Sequence, residues 1–258
     1  MRDRFLIFGS PLIEEAEIDE VVASLRSGWL GTGPKVASLE TEFARYLGVE
    51  HAVAVNSGTA ALHLSMLAAR IEPGAEVITS ALTFCATVNA IIHAGATPVL
   101  VDVNPLTMNM DADQVRARVT ARTRAIVPVH FAGRPCDMDA IGEIAREHNL
   151  AVIEDGAHAI ETEYHGRRAG TFGDFGCFSF YVTKSVMTGE GGMVVTRRAE
   201  DAVPTAPGGV DVRVGTLCHV QPTSPSPPRS PASCQAPLMM TTLPVAVMRW
   251  QRSGSRPH

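Results

Sequence analysis

Lysine is nearly absent from this chain: Lys35 and Lys184 are the only two, beside twenty arginines. Basic charge is not in excess either. A formal net charge of −5 at pH 7 offers no general attraction to nucleic acid or an anionic membrane surface. No apolar run approaches the ~20 residues that cross a bilayer. The apolar stretch at 5–8 is too short for the hydrophobic region of a signal peptide. The five cysteines (85, 136, 177, 218 and 234) are odd in number, scattered and without a C-x-x-C. That pattern supports neither a disulfide framework nor a zinc site and suits a reducing compartment. The nine histidines are dispersed as well, so no metal centre is expected. A Walker phosphate loop is missing, and no G-x-G-x-x-G follows a strand, which weighs against a Rossmann dinucleotide site. These absences describe a soluble cytoplasmic protein that binds neither nucleic acid nor membrane.

What is present divides into two unlike parts. Residues 1–200 alternate near-continuous apolar runs with helical patterns. The runs are 51–55, 76–80, 97–103, 124–130, 150–155, 174–180 and 192–196; helices are expected at 58–70, 84–94, 111–118 and 137–148. Two further helices, at 12–27 and 36–47, precede the first strand. This is the signature of an α/β fold, a mostly parallel seven-stranded sheet with helices on both faces. Residues 201–258 read differently. They hold ten of the seventeen prolines, two acidic residues and one aromatic, Trp250, with no periodicity. Such a composition buries too little apolar surface to offset chain entropy, and disorder is expected there. A functional proline-rich tail and a shifted reading frame both explain it; the abruptness of the change favours the second.

The chemistry gathers around Lys184, in FSFYVTKSVMTGEGG (178–192). A desolvated lysine has a lowered pKa, and its neutral amine attacks carbonyls to form an imine. Pyridoxal phosphate (PLP) uses such a lysine and needs two further partners, a carboxylate at the pyridine nitrogen and an anion site for the phosphate. Asp155 closes the strand in AVIEDGAHAIE (151–161), where sites open in parallel sheets. It is the carboxylate candidate, with a simple helix cap as the alternative. Glu154 should point to the opposite face. The phosphate candidate is NSGTAALHLSML (56–67), a small-residue strand-to-helix junction with Thr59 and Ala60 in the first turn. An ordinary helix start is its alternative. Phe84 could stack on a flat ring, or else belong to the core. Ser179 could donate to a phosphate oxygen, or only to solvent or backbone. His158 could face the ring, or be a packed structural histidine. Lys35, without hydroxyl neighbours, is expected to be solvated.

Assembled, these residues give a sequence that resembles the DegT/StrS-type sugar aminotransferases, PLP enzymes of fold type I. The resemblance runs from about residue 5 to 200 through seven ordered blocks, SGWLGTGPKV (27–36), HAVAVNSGTAALHL (51–64), EVITSALTFCATVNAI (76–91), VDVNPLTMNMD (101–111), AIVPVHFAGRPCDMDAI (125–141), VIEDGAHAIETEYHGRRAG (152–170) and GDFGCFSFYVTKSVMTGEGGMVVT (173–196). It implies that Lys184 condenses with the cofactor aldehyde and that Asp155 meets the pyridine nitrogen. It implies that His158 stands where the family has Gln or His, that Thr59 and Ala60 give backbone phosphate contacts, Ser179 a side-chain one, and that Phe84 stacks on the ring. It implies an amino group taken from glutamate and delivered to a keto group of a nucleotide-linked deoxysugar, by a homodimer with sites at its interface.

Two departures qualify this. Family members continue past the GEGG turn into a smaller second domain; here 201–258 has no alignable counterpart, so that domain is expected to be missing and activity reduced. The sister branch of PLP-dependent sugar dehydratases typically replaces the lysine with histidine, and Lys184 argues against it. A PLP-binding or regulatory remnant is the remaining alternative.

Overall fold

The seven apolar runs are strands, and they hydrogen-bond into one sheet. The computed structural model describes Gly9 and residues 11–197, so the proline-rich stretch 201–258 and its expected disorder lie outside the described residues. The helices are α1 (Glu15–Ser27), α2 (Pro34–Leu47), α3 (Gly58–Ala68), α4 (Cys85–His93), α5 (Ala112–Arg118) and α6 (Met138–His148). The strands are β1 (His51–Val55), β2 (Glu76–Ser80), β3 (Thr97–Val101), β4 (Thr123–Val127), β5 (Ala151–Asp155), β6 (Glu163–Tyr164), β7 (Arg167–Arg168), β8 (Phe175–Ser179) and β9 (Gly192–Thr196). The large sheet has the order β1-β9-β8-β5-β4-β2-β3. Only β9 runs against its neighbours, β1 and β8; the pairs β8–β5, β5–β4, β4–β2 and β2–β3 are parallel.

Side chains alternate across a strand with a period of two, and this sorts the core into two sides. Val77, Ala125, Val127, Ile153, Phe175, Cys177 and Val194 pack with Ala61, Leu62 and Met66 of α3 and Ala90 and Ile91 of α4. Their neighbours Ile78, Ile126 and Val152 face the other way, onto Val115 of α5 and Met138, Ile141 and Ile144 of α6. At the β1 end that second side is closed by Phe43 and Leu47 of α2 against Phe178, Met193 and Val195. Helix ends follow local chemistry. Asp137 Oδ1 accepts from Ala140 N at 3.1 Å to open α6. Pro34 starts α2 at a position where its missing N–H is not needed.

Three departures from expectation have visible causes. α1 starts at Glu15 rather than 12, because Glu14 and Glu17 form a reciprocal capping box there. The run 97–103 stops at Val101, where the Asp102 carboxylate takes the Val103 N–H at 2.8 Å. The run 124–130 leaves the ladder at Pro128, which has no N–H to give. The short hairpin β6–β7 was not anticipated; its turn is His165–Gly166, both at positive φ (50° and 76°).

Candidate active site

All the parallel strands end at the same edge of the sheet, and there a cleft of about 570 Å³ opens on the side covered by α3 and α4. Six of the seven residues singled out above line it: Thr59, Phe84, Asp155, His158, Ser179 and Lys184. They come from four separate stretches of chain, which the sheet topology brings to one place. Ala60 lies just behind the wall, its N–H donated to Ser57 Oγ at 3.1 Å. Lys184 follows β8 in a turn closed by its own N–H on the Tyr181 carbonyl at 2.9 Å. Lys35 stays at the surface, paired with Glu20.

Asp155 is the last residue of β5 and is buried at 6% exposure. Its Oδ1 accepts from Ala157 N at 3.1 Å, and its Oδ2 from Thr87 Oγ1 at 2.7 Å. No helix follows β5, so the carboxylate is not a helix cap. Partial burial holds the Lys184 amine below its ordinary pKa, with Asp155 opposing. The neutral, nucleophilic form of the amine is thereby favoured. His158 is also pushed down, first by burial and then by the Lys184 charge, against the opposing pull of Asp155. The three groups therefore feel one another across the cleft, and 155 and 184 lie on the same side of the sheet.

The opposite end of the cleft suits an anion. The first N–H groups of a helix have no intrahelical acceptor. In α3, Ser57 takes those of Ala60 (Oγ, 3.1 Å) and Ala61 (carbonyl, 3.0 Å). The amides of Gly58 and Thr59, both in the cleft wall, stand at the positive end of the helix dipole. Glycine is required here: a Cβ on Gly58 would sit 2.8 Å from Ser179 Cβ, and one on Gly192 would sit 2.5 Å from the Ser57 carbonyl carbon. The tight approach places the Ser179 side chain beside the helix start. Phe84 is 78% exposed, so it is no core residue, and its open ring lines the cleft.

Glu154 points to the other face, as the strand period requires. It is fully buried and accepts from the N–H groups of Gly170 (2.7 Å), Phe172 (2.6 Å) and Gly173 (2.6 Å). His130 Nε2 lies 2.9 Å from its Oε2, while the Cys136 N–H donates to His130 Nδ1 at 3.1 Å. The neutral Nε2–H tautomer satisfies both contacts. This buried lock braces the strand end that carries Asp155.

Sequence reasoning missed Thr87, which touches Asp155 from 68 residues away. It also passed over Tyr181, Thr183 and Glu190 in the wall. A hydroxyl on the inner side of α4's first turn was the available signal for Thr87. Cys177 also lines the cleft, but burial pushes its thiol pKa up, which keeps it an inert thiol.

A lysine, a carboxylate, an exposed aromatic plate and a glycine-tight helix start lie together at the carboxyl edge of this sheet, and the sheet has the architecture of the fold-type-I class of PLP-dependent proteins. Comparison with known proteins places the chain more narrowly. Residues 11–203 match the DegT/DnrJ/EryC1/StrS aminotransferase family, and the chain belongs to that family. It is 55% identical over 195 residues to the spore coat polysaccharide biosynthesis protein SpsC of Bacillus subtilis, covering 76% of this chain and 50% of SpsC. It is 47% identical over 188 residues to the GDP-perosamine synthase of Caulobacter vibrioides, covering 72% and 51%. Among solved structures, the PLP form of the sugar aminotransferase Spr1654 from Streptococcus pneumoniae superposes with a TM-score of 0.72 at 37% identity, covering 77% of this chain and 54% of that one. A PMP form of the same protein matches equally. The dehydratase ColD, bound to GDP-perosamine, gives a TM-score of 0.72 at 30% identity, covering 74% and 51%. The chain spans about half the length of the curated relatives it matches.

Proposed function

We propose that this chain carries the cofactor half-site of a PLP-dependent sugar aminotransferase, which moves an amino group from glutamate to a keto group of a nucleotide-linked deoxysugar. The observation that carries this is the convergence of Lys184, Asp155 and the α3 N-terminus on one cleft. The cleft fits the cofactor on its own geometry. It has an amine biased toward its neutral form, a carboxylate held by two donors, and an anion cradle where added Cβ atoms would collide.

When bound, PLP supplies the electron sink that stabilises a carbanion at the donor's α-carbon. The chain's residues do the rest. Lys184 Nζ would hold the cofactor and, as a free amine, would take and return a proton as general base and acid. Asp155 would face the ring nitrogen and favour its protonated form. The Gly58 and Thr59 amides, with Ser179 Oγ, would hold the phosphate, and Phe84 would cover the ring. His158, its pKa lowered by burial, would stand beside the ring without adding a second cation. Arginine in place of Lys184 would stay protonated and give no useful imine.

Two further parts of the reading concern the whole protein. A homodimer is supported by the apolar side chains that α1 and its flanks leave open, among them Leu25 at 54% and Trp29 at 61% exposure. A cytoplasmic setting is supported by the free thiols of Cys85, Cys136 and Cys177. The dehydratase reading has the ColD likeness behind it, and the retained lysine against it. Among the described residues, no helix is long and apolar enough to cross a membrane.

The test is spectroscopic. The purified chain should take up PLP with a visible absorbance band and, on addition of glutamate, convert to the pyridoxamine form. PLP uptake without that conversion would leave a binding remnant. Failure to take up PLP would overturn the proposal.

A further inference from the structure

Thr87 is the third residue of α4, fully buried, and its Oγ1 has two oxygen neighbours, each at 2.7 Å. One is Asp155 Oδ2, and the other is Thr83 Oγ1. Counting hydrogens fixes the direction of both contacts. An ionised carboxylate has no hydrogen to give, and a threonine hydroxyl has one. Thr87 must therefore spend its single hydrogen on Asp155, and Thr83 must donate to Thr87. Both hydroxyls point one way, toward the carboxylate.

We propose that Thr87 is a positioning residue for the reaction: with Thr83 behind it, it forms a one-way hydroxyl relay that aims the Asp155 carboxylate at the cofactor's ring nitrogen. This rests on the PLP reading above and deepens it. Asp155 is gripped from two elements, at Oδ2 by α4 and at Oδ1 by the Ala157 N–H just past β5. With one donor from each side, rotation of the carboxylate about its last side-chain bond breaks at least one contact. The same turn of α4 begins at Phe84, whose open ring lines the cleft. Thr83, Phe84 and Thr87 thus tie the plate that covers the ring to the carboxylate that meets its nitrogen. A relay in which the second hydroxyl polarises the first also strengthens the contact to the charge.

A buried threonine whose hydroxyl merely needs an acceptor would show the same distances. The two roles separate through a cofactor analogue in which carbon replaces the ring nitrogen. Dissociation constants of the purified chain are measured for PLP and for this deaza analogue. The wild-type chain should prefer PLP. Thr87→Val should weaken PLP by about tenfold, leave the deaza analogue unchanged, and so collapse the preference. Thr87→Ser, which keeps the hydroxyl, should retain it, and Thr83→Val should fall between. Equal weakening of both ligands by Thr87→Val, or an undiminished preference for PLP, would overturn the proposal. Should Thr87→Val fail to fold by circular dichroism, Thr83→Val decides: a preference equal to wild type there overturns it. A wild-type chain that takes up no PLP, or does not distinguish the two ligands, would instead bring down the Asp155 reading, and this proposal with it.

Discussion

Lys184 is kept lysine in a chain that otherwise uses arginine, and the structure shows what the choice gains. Burial lowers its pKa from the ordinary 10.5, so more of the amine is neutral near pH 7 than in a solvated lysine. The rate of PLP uptake by the cofactor-free chain should therefore rise with pH around a midpoint below 10.5. A midpoint at or above the solvated value would contradict this. Glu154, its acceptor sites filled on the far side of the sheet, makes a different prediction. Glu154→Gln puts an NH₂ group where backbone N–H groups point and should cost about 3 kcal/mol in urea unfolding. An unchanged midpoint would show that the lock contributes little. Lys184, Asp155 and Ser179 could be singled out in the sequence because a PLP site needs an imine-forming amine, a carboxylate for the ring and a donor for the phosphate, at or just past strand ends, and all three line the cleft. The partner of Asp155 could not be, because Thr87 reaches it through a sheet crossover that no local pattern encodes.

At the scale of elements, α3 is the sensitive part. Gly58→Ala would press a Cβ against Ser179 and move the helix start from β8. PLP affinity should fall by about tenfold, the size of a modest overpacking cost. Gly142→Ala in α6 meets nothing within 4 Å and should stabilise the protein by about 0.5–1 kcal/mol with PLP binding unchanged. Equal effects on binding would show that the cradle's tightness is incidental. α3 and α4 also meet through His63 and His93, whose rings lie edge to face at 6.0 Å. Burial, and then the His93 charge, hold His63 below its ordinary 6.5. The unfolded chain then binds more protons in mild acid, so stability is complete above 6.5 and declines as pH falls below it. His158 has the same sign. Melting temperature should drop beneath that pH, less steeply in His63→Gln; an equal slope in that variant would contradict the assignment. β1, β2 and β9 have the bounds expected from the sequence, since their apolar runs are bracketed by turn residues. β3 and β4 stop early at Asp102 and Pro128, where single residues outweigh the run. β6 and β7 have two residues each, too few to show any period.

At the scale of the molecule, the seven strands of one mostly parallel sheet, and the strand ends as the place where a site opens, followed from alternating runs and helices. Which strand reverses did not, since an apolar run reads the same in either direction. The apolar side chains left open around α1 predict self-association: sedimentation should show a concentration-dependent dimer that Leu25→Glu weakens. A monomer at every concentration would remove that part of the reading. The central claim, that one cleft uses Lys184 to hold PLP against Asp155, is tested most directly by chemical trapping. The chain is saturated with PLP, reduced with borohydride and digested, and the modified peptide is identified by mass. The account predicts a single labelled residue, Lys184, with labelling lost in Lys184→Ala and kept in Lys35→Ala. A label on Lys35, or no stable label, would contradict it.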